Sequence, residues 1–240
     1  MTFTIKIYNN NIDLKIINEN ITNYHIDQLR SKINRNLPLN LNLYFNNVIN
    51  INKLLDFINF YNITTLYINN IRCKENMDEI FNFINNNDTI EELIISGNSC
   101  KNRIFIDYNL LNEIINNNNI LQKIEIKGCN IDDNIRIISD SLKNNNSLQE
   151  LNLSWNNITN MDFIFDVLSV NRTINKIDFG QNCISNFNIF LANRALQNNN
   201  IINEIWIEND KIQYNNSCKN QIDELKQLNP LINSNIFLVF

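Results

Sequence analysis

The sequence predicts an α/β solenoid, a stack of strand-plus-helix units with a parallel β-sheet on the concave face and helices on the convex face. Three observations support this fold class. An eleven-position apolar pattern recurs about eight times in the 240 residues. A second apolar pattern, with helical spacing, separates successive copies. The hydrophobic content of 44% is enough for a packed core.

The repeat is clearest in residues 148–158, where Leu148, Leu151, Leu153 and Ile158 occupy positions one, four, six and eleven, and Asn156 occupies position nine. Aligning the chain to this segment predicts repeat starts near residues 2, 38, 63, 90, 121, 148, 174 and 202. Because a single strand-plus-helix unit cannot bury its apolar face alone, the copies must stack. We therefore expect one domain over residues 1–240, with a C-terminal cap near 219–240.

Amphipathic helices are predicted between the copies. Met77, Ile80, Phe81 and Ile84 have the spacing of one helical face, and similar sets follow around residues 111–115, 135–142 and 164–168. Asp132 or Asp133 and Thr159 are candidate N-caps. The Asn tracts at 85–87, 117–119, 144–146 and 198–200 are predicted to form left-handed helix exits.

Each apolar position of the repeat is expected to point into the shared core, where one buried side chain contributes about 1.5 to 3 kcal/mol. The Asn at position nine is expected to bond backbone groups of its own and neighbouring turns. This predicts a structural Asn ladder, which consists of Asn10, Asn46, Asn98, Asn156 and Asn182.

The pattern resembles the ribonuclease-inhibitor-like class of leucine-rich repeats, whose units have about 28 residues and alternate a strand with a full helix. The resemblance covers nearly the whole chain, and it implies a horseshoe that binds proteins. One branch of similar repeats activates small GTPases, which provides an alternative function, although that branch has an acidic C-terminal tail and this chain ends in Asn-Ile-Phe-Leu-Val-Phe. A copy from a multi-gene repeat family is a third possibility.

Composition argues against several functions. The formal net charge is -5 and no long basic run occurs, so no nucleic-acid partner is expected. No apolar run of about 18 residues and no signal peptide is found, so no membrane contact is expected. Five cysteines without a C-x-x-C pair predict free thiols in a reducing compartment, hence a cytoplasmic protein. Asn makes up about a quarter of the chain, which suggests an AT-rich genome.

Catalytic chemistry lacks its usual motifs. The single histidine, His25, lies on the predicted first helix, and no phosphate-binding loop or metalloprotease motif occurs. We therefore expect no enzyme activity, no catalytic residue, no cofactor and no metal site, and a monomeric state. Sequons such as Asn171-Arg-Thr173 are attributed to chance in an Asn-rich chain.

The concave face offers two sets of candidate residues. Position three holds a structural charge ladder of Glu92, Lys123, Glu150, Lys176 and Glu204, which could be a ligand platform but is better explained as a row that keeps parallel strands in register. Aromatic residues are candidate partner anchors, although they could also simply cover the sheet. These are Tyr44, Phe45, Tyr67, Trp155 and Trp206. The predicted function is a non-enzymatic module that binds an unknown protein partner through this face.

Overall fold

The protein is an α/β solenoid of leucine-rich-repeat type, as the apolar repeat predicted. The computed structural model describes residues 2–8, 11–17, 22–31, 39–44, 50–69, 73–97, 106–184, 188–207 and 236–237. The described residues contribute ten strands to one sheet, in which spatial order follows chain order. Every neighbouring pair from β2 onward is parallel. Helices connect most successive strands, so the sheet lines the concave face and the helices form the convex face.

The strands shorten along the chain, from seven residues in β1 to three in β9. They are β1 (Thr2–Tyr8), β2 (Asn11–Ile17), β3 (Leu39–Tyr44), β4 (Ile63–Asn69), β5 (Glu92–Ser96), β6 (Lys123–Lys127), β7 (Glu150–Asn152), β8 (Lys176–Asp178), β9 (Glu204–Trp206) and β10 (Ile236–Phe237).

The helices lie between these strands in the chain. They are α1 (Asn23–Arg30), α2 (Ile51–Phe60), α3 (Lys74–Asn85), α4 (Tyr108–Asn117), a 3₁₀ helix (Asp133–Ile138) that continues into α5 (Ser139–Asn144), α6 (Asp162–Leu168) and α7 (Ile189–Asn198). His25 lies on α1, as expected, and none of the described helices has the length and apolar character needed to cross a membrane.

The first two strands depart from the expectation of parallel pairing throughout. β1 and β2 form an antiparallel pair in which Thr2 faces Ile17 and Tyr8 faces Asn11. Only Asn9 and Asn10 separate the two strands, and a parallel pair would need a crossover of about a dozen residues or more. The chain therefore opens with a hairpin, and β2 is the strand that starts the parallel stack.

The core lies between the sheet and the helices. Leu93, Ile124, Leu151 and Ile177 occupy position four of successive repeats and are at most 1% exposed. The predicted helical faces are buried against them, including Met77, Ile80, Phe81 and Ile84 of α3. One continuous apolar core thus joins all the repeats that the structure describes from α1 to β9.

The Asn tracts do not adopt the left-handed conformation that was predicted. Asn118, Asn145 and Asn199 end their helices with negative φ angles of -85°, -68° and -107°. Their side chains instead fix the turn that leads from the helix to the next strand. Each Oδ1 accepts N–H groups two and three residues ahead, as in Asn118 with Ile120 and Leu121 at 2.9 and 2.8 Å.

These side chains also connect neighbouring repeats. The Nδ2 group of Asn118 donates to the carbonyl oxygens of Ile84 and Asn87, at 2.8 and 3.0 Å. Asn171 and Asn199 each donate to two carbonyl oxygens of the preceding repeat in the same way, and the Nδ2 group of Asn145 donates to the carbonyl oxygen of Ile115. We call this series the helix-exit ladder; its members lie three residues before a repeat start, and they are Asn87, Asn118, Asn145, Asn171 and Asn199.

Asn156 and Asn182, at position nine, form a second series of inter-repeat contacts. The Oδ1 atom of Asn156 accepts the N–H groups of Cys129 and Ile131 in the preceding repeat, at 3.0 and 3.1 Å. Asn182 accepts in the same way from Ile158. Asn10, Asn46 and Asn98, the other members of the predicted Asn ladder, lie outside the described residues.

Thr159 is not the N-cap that the sequence suggested. Helix α6 begins at Asp162, whose N–H donates to the side chain of Asn160 at 2.8 Å. Thr159 instead donates its hydroxyl to Asp133 at 2.5 Å. Asp132 does cap the 3₁₀ helix through the N–H of Asn134. The predicted C-terminal cap lies mostly outside the described residues, but β10 pairs with β9 there.

Candidate concave binding face

Two lateral rows of side chains cross the sheet on the face opposite the helices. They come from positions three and five of each repeat, on either side of the buried position four, because successive residues of a strand point to opposite faces. The rows lie two residues apart along each strand. Their members are consecutive partners in the strand register, so each side chain has a neighbour about 4.8 Å away on the next strand.

The first row contains the five charges of the predicted ladder. Glu92, Lys123, Glu150, Lys176 and Glu204 are successive Cα partners from β5 to β9. Lys123 lies 3.6 Å from Glu150, and Lys176 lies 2.9 Å from Glu204. The hydrogen bond from Lys176 to Glu204 raises the pKa of the lysine. Each described lysine of this row therefore has its charge offset by a carboxylate.

The second row contains the side chains of position five and its equivalents. In register order it runs through Tyr67, Ile94, Glu125, Asn152, Asp178 and Trp206. Ile94 is buried and the other five are partly exposed. The row thus places two aromatic residues at its ends and polar groups between them.

Asp178 lies at the centre of the polar part of the second row. Its carboxylate accepts the backbone N–H of Gly180 at 2.8 Å and the Nδ2 group of Asn152 at 3.0 Å. Burial raises the pKa of Asp178, and the negative charge of Glu125 acts in the same direction. The hydrogen bonds and the positive charge of Lys127 oppose this effect without cancelling it.

Trp206 lies beside Asp178 on the next strand. Its indole Nε1–H donates to the carboxylate of Glu204 at 3.0 Å, which fixes the ring. This hydrogen bond, together with that from Lys176, lowers the pKa of Glu204. The ring is one wall of an open pocket of about 290 Å³. The pocket is lined by Lys123, Glu125, Glu150, Leu151, Asn152, Lys176, Asp178 and Trp206.

The structure separates the predicted aromatic anchors. Tyr67 on β4 and Trp206 on β9 lie at the two ends of the second row, with four strands between them. The backbone of Tyr44 lies in β3, opposite Asn69 of β4, two residues beyond the second row. Phe45 lies outside the described residues.

Trp155 lies in the turn after β7 and not on a strand. It holds position eight of its repeat, is 56% exposed, and has a φ angle of 59°. Gly128 and Gln181 hold position eight in the adjacent repeats, with φ angles of 60° and 56°. The turn therefore requires a left-handed residue at this position, and the Trp side chain extends from it into solvent.

The polar residues of the second row were not among the sequence-based candidates. Glu125, Asn152 and Asp178 occupy position five, two residues after the charge ladder that the sequence did identify. Following that position along the same alignment would have placed them beside Trp206. Among the described residues, no group of three or more His, Cys, Asp or Glu side chains has the arrangement of a metal site.

Comparison with known proteins finds distant structural matches and no sequence match. No protein-family model and no curated protein sequence matches the chain. The tropomodulin C-terminal domain of Caenorhabditis elegans matches with a TM-score of 0.46 and 14% identity, over 63% of this chain and 91% of that chain. A structure of Leiomodin-1 Actin-Binding Site 2 matches with a TM-score of 0.47 and 18% identity, over 63% of this chain and 88% of that one.

Proposed function

We propose that this chain is a non-enzymatic protein-interaction module that binds its partner through the concave face. The observation that carries the proposal is the pocket beside Trp206, to which four adjacent strands contribute side chains. Trp is among the preferred anchors of protein interfaces because it buries a large area with few rotatable bonds. A partly exposed Trp surrounded by polar groups has the composition of an interface centre and its rim.

The rigidity of this surface supports the same function. Each strand of the pocket is fixed by parallel pairing on both sides, and β6 to β9 are in register. The hydrogen bonds of Asp178 and Trp206 further restrict the two side chains. A surface that is ordered before binding loses little conformational entropy when a partner docks.

Trp155 is a candidate second anchor. A Trp at a left-handed position is strained, by about 1 to 2 kcal/mol for a residue with a Cβ atom. Because the turn imposes this conformation, the residue type is the informative feature, and an exposed Trp is a preferred anchor of protein interfaces. Trp155 is more than half exposed, and the equivalent turns use Gly128 and Gln181.

The charge ladder has a structural role in this proposal. Its lysines are offset by glutamates on the adjacent strands, so the row presents little net field to a ligand. Opposite charges placed laterally favour the observed register over a shifted one, and each exposed pair contributes about 0.2 to 1 kcal/mol. We also propose that residues 1–240 form a single domain and that the chain is a monomer.

Quantitative affinity purification from the native cell tests the function. The wild-type chain is compared with a concave variant, Tyr67→Ala with Trp206→Ala, and with a convex control, Phe190→Ala. Phe190 lies on α7 and is 83% exposed, so it is the matched aromatic deletion on the opposite face. We expect the concave variant to lose at least 80% of the specific partner and the control to lose none. Partner recovery that depends on Phe190 and not on the concave pair would overturn the proposal.

A further inference from the structure

The lysines around the concave pocket are already paired with glutamates. Lys123 lies within 4.0 Å of both Glu125 and Glu150, and Lys176 lies 2.9 Å from Glu204. Lys127, at the edge of the pocket, lies 3.2 Å from Glu125. The positive charges of the described residues near the pocket are therefore committed to the glutamates.

Asp178 is the pocket carboxylate that none of these lysines pairs with. Its two hydrogen bonds come from neutral donors, the backbone of Gly180 and the amide of Asn152. Among the described residues, Asp178 has no ion pair, and the positive charge of Lys127 acts on it only from a greater distance. A half-buried carboxylate in that position keeps an unfavourable charge, which an incoming cation would compensate. With Glu204 at its rim, the pocket has four carboxylates against two lysines among its described residues.

Trp206 supplies an aromatic wall beside this carboxylate. Asp178 and Trp206 are Cα partners on β8 and β9, so their side chains emerge about 4.8 Å apart on the same face. The faces of an indole ring attract cations, and a carboxylate accepts the N–H groups of a guanidinium or ammonium. A volume of about 290 Å³ is at the lower limit of ligand pockets, which suits one side chain of a partner.

We propose that the concave pocket binds one basic side chain, arginine in preference to lysine, presented by the protein partner and seated between Asp178 and Trp206. Arginine is preferred because its planar guanidinium can stack on the indole while it donates to the carboxylate. This inference rests on the proposed protein-binding function and specifies which side chain of the partner enters the pocket.

The test uses the full chain and two small probes. N-acetyl-arginine amide carries the cation, and N-acetyl-citrulline amide has nearly the same shape without the charge. Binding is followed by ¹⁵N NMR at the indole N–H of Trp206 and the side-chain amide of Asn152. We expect saturable shifts with the arginine probe at about millimolar concentration and at least fivefold weaker binding of the citrulline probe. Equal binding of the two probes, or no saturable shift, would overturn the inference.

A charge-swapped variant tests whether the position of the carboxylate matters when the number of charges stays the same. Asn152→Asp combined with Asp178→Asn keeps the composition and one donor–acceptor pair across β7 and β8, but moves the carboxylate away from Trp206. We expect the arginine probe to bind about fivefold more weakly, while the remaining amide spectrum stays that of the folded chain. Undiminished affinity would contradict the seat beside Trp206. Trp206→Leu serves as the second variant and should weaken arginine binding similarly, because it removes the π face.

The probe titration tests the basic-side-chain inference, and the partner capture tests the proposed function, so either claim can be contradicted without the other. If the concave variant loses its partner but the arginine probe does not bind, the protein-binding function stands and the basic-side-chain inference falls. If the arginine probe binds but partner recovery depends on Phe190 of the convex face, the proposed binding of the partner through the concave face is wrong.

Discussion

The side-chain amide of Asn171 donates to the backbone carbonyl of Asn145 at 3.0 Å, and Asn145 holds the same place one repeat earlier. Asn171 also donates to Leu142 and accepts from the backbone of Thr173 and Ile174. It is 2% exposed. One side chain thus caps carbonyl groups at the end of the preceding repeat's helix and fixes the turn that leads into the next strand.

Asn171→Asp should lower the free energy of unfolding at pH 7 by about 3 kcal/mol, because a carboxylate cannot donate and would face two carbonyl oxygens. Urea denaturation followed by circular dichroism measures the loss. Asn87→Asp is the matched control, since the Nδ2 group of Asn87 has no hydrogen-bond partner among the described residues. For Asn87→Asp we expect the free energy of unfolding to fall by about 1 kcal/mol. Equal losses for the two substitutions would show that the inter-repeat donation contributes nothing.

Gly97→Ala should destabilise the fold, although Gly97 simply follows the last residue of β5. A Cβ atom there would lie 2.3 Å from the carbonyl oxygen of Gly128, which is backbone and cannot move aside easily. We expect a loss of about 2 kcal/mol in urea denaturation. Ser96→Ala, one residue earlier on the concave face, should change the free energy by less than about 0.5 kcal/mol. A similar effect of both substitutions would argue against the close approach.

Cys129 should resist alkylation in the folded chain. Burial raises its pKa to about 12, so the reactive thiolate at pH 8 is about a thousandfold scarcer than for an ordinary thiol. Cys183 is exposed and provides the internal comparison. Iodoacetamide labelling with peptide mapping should modify Cys183 first and Cys129 only after unfolding in urea. Comparable native rates would contradict the burial of Cys129.

The fold could be predicted because the apolar positions of the repeat are set by burial alone. Leu151 and Ile177 are buried at position four, and any sequence that fills this core must repeat the pattern. The hairpin of β1 and β2 was missed because Asn is so frequent that the two residues between the strands carried no turn signal. The same excess of Asn concealed the helix-exit ladder, whose members differ from their Asn neighbours only by lying three residues before a repeat start.

The candidate site could be predicted only in part. The charge ladder was visible because alternating Glu and Lys at one position form a pattern within the sequence. Asn152, Asp178 and Trp206 share position five but no residue type, so no repeated residue marked them in the sequence, and the strand register shows that they are neighbours. Trp155 was assigned to the sheet surface because sequence spacing does not indicate where a three-residue strand ends.

Trp155→Gly should stabilise the chain by about 1 kcal/mol, because glycine adopts the left-handed conformation without strain and more than half of the Trp surface is already exposed to solvent. Thermal and urea unfolding measure the gain. Trp155→Ala should give a smaller gain or none, since alanine keeps most of the strain. If both substitutions destabilise the chain equally, the ring is packing against the fold. A stabilised glycine variant that loses partner binding would support Trp155 as an anchor.

The pKa of Asp178 should lie above its ordinary value of 3.8, because burial and the negative charge of Glu125 raise it. The folded chain then binds this proton more tightly than the unfolded chain. The contribution of Asp178 to stability is therefore favourable at low pH, and it is lost as the pH rises from 3.8 through the raised pKa. Carboxyl ¹³C NMR titration measures the value directly, and Lys127→Met should raise it further by removing a positive charge.

Asp133 supplies the internal reference of opposite sign for this titration. Burial would raise its pKa, but the hydrogen bonds from Thr159 and Asn160 outweigh that effect and lower it. Its contribution to stability is present above pH 3.8 and is lost as the pH falls through the lowered pKa. In one spectrum, Asp178 should therefore titrate at higher pH than Asp133. The reverse order would mean that Asp178 already has a cationic partner in the free chain, and the pocket beside Trp206 would then have no charge left to offer a basic side chain.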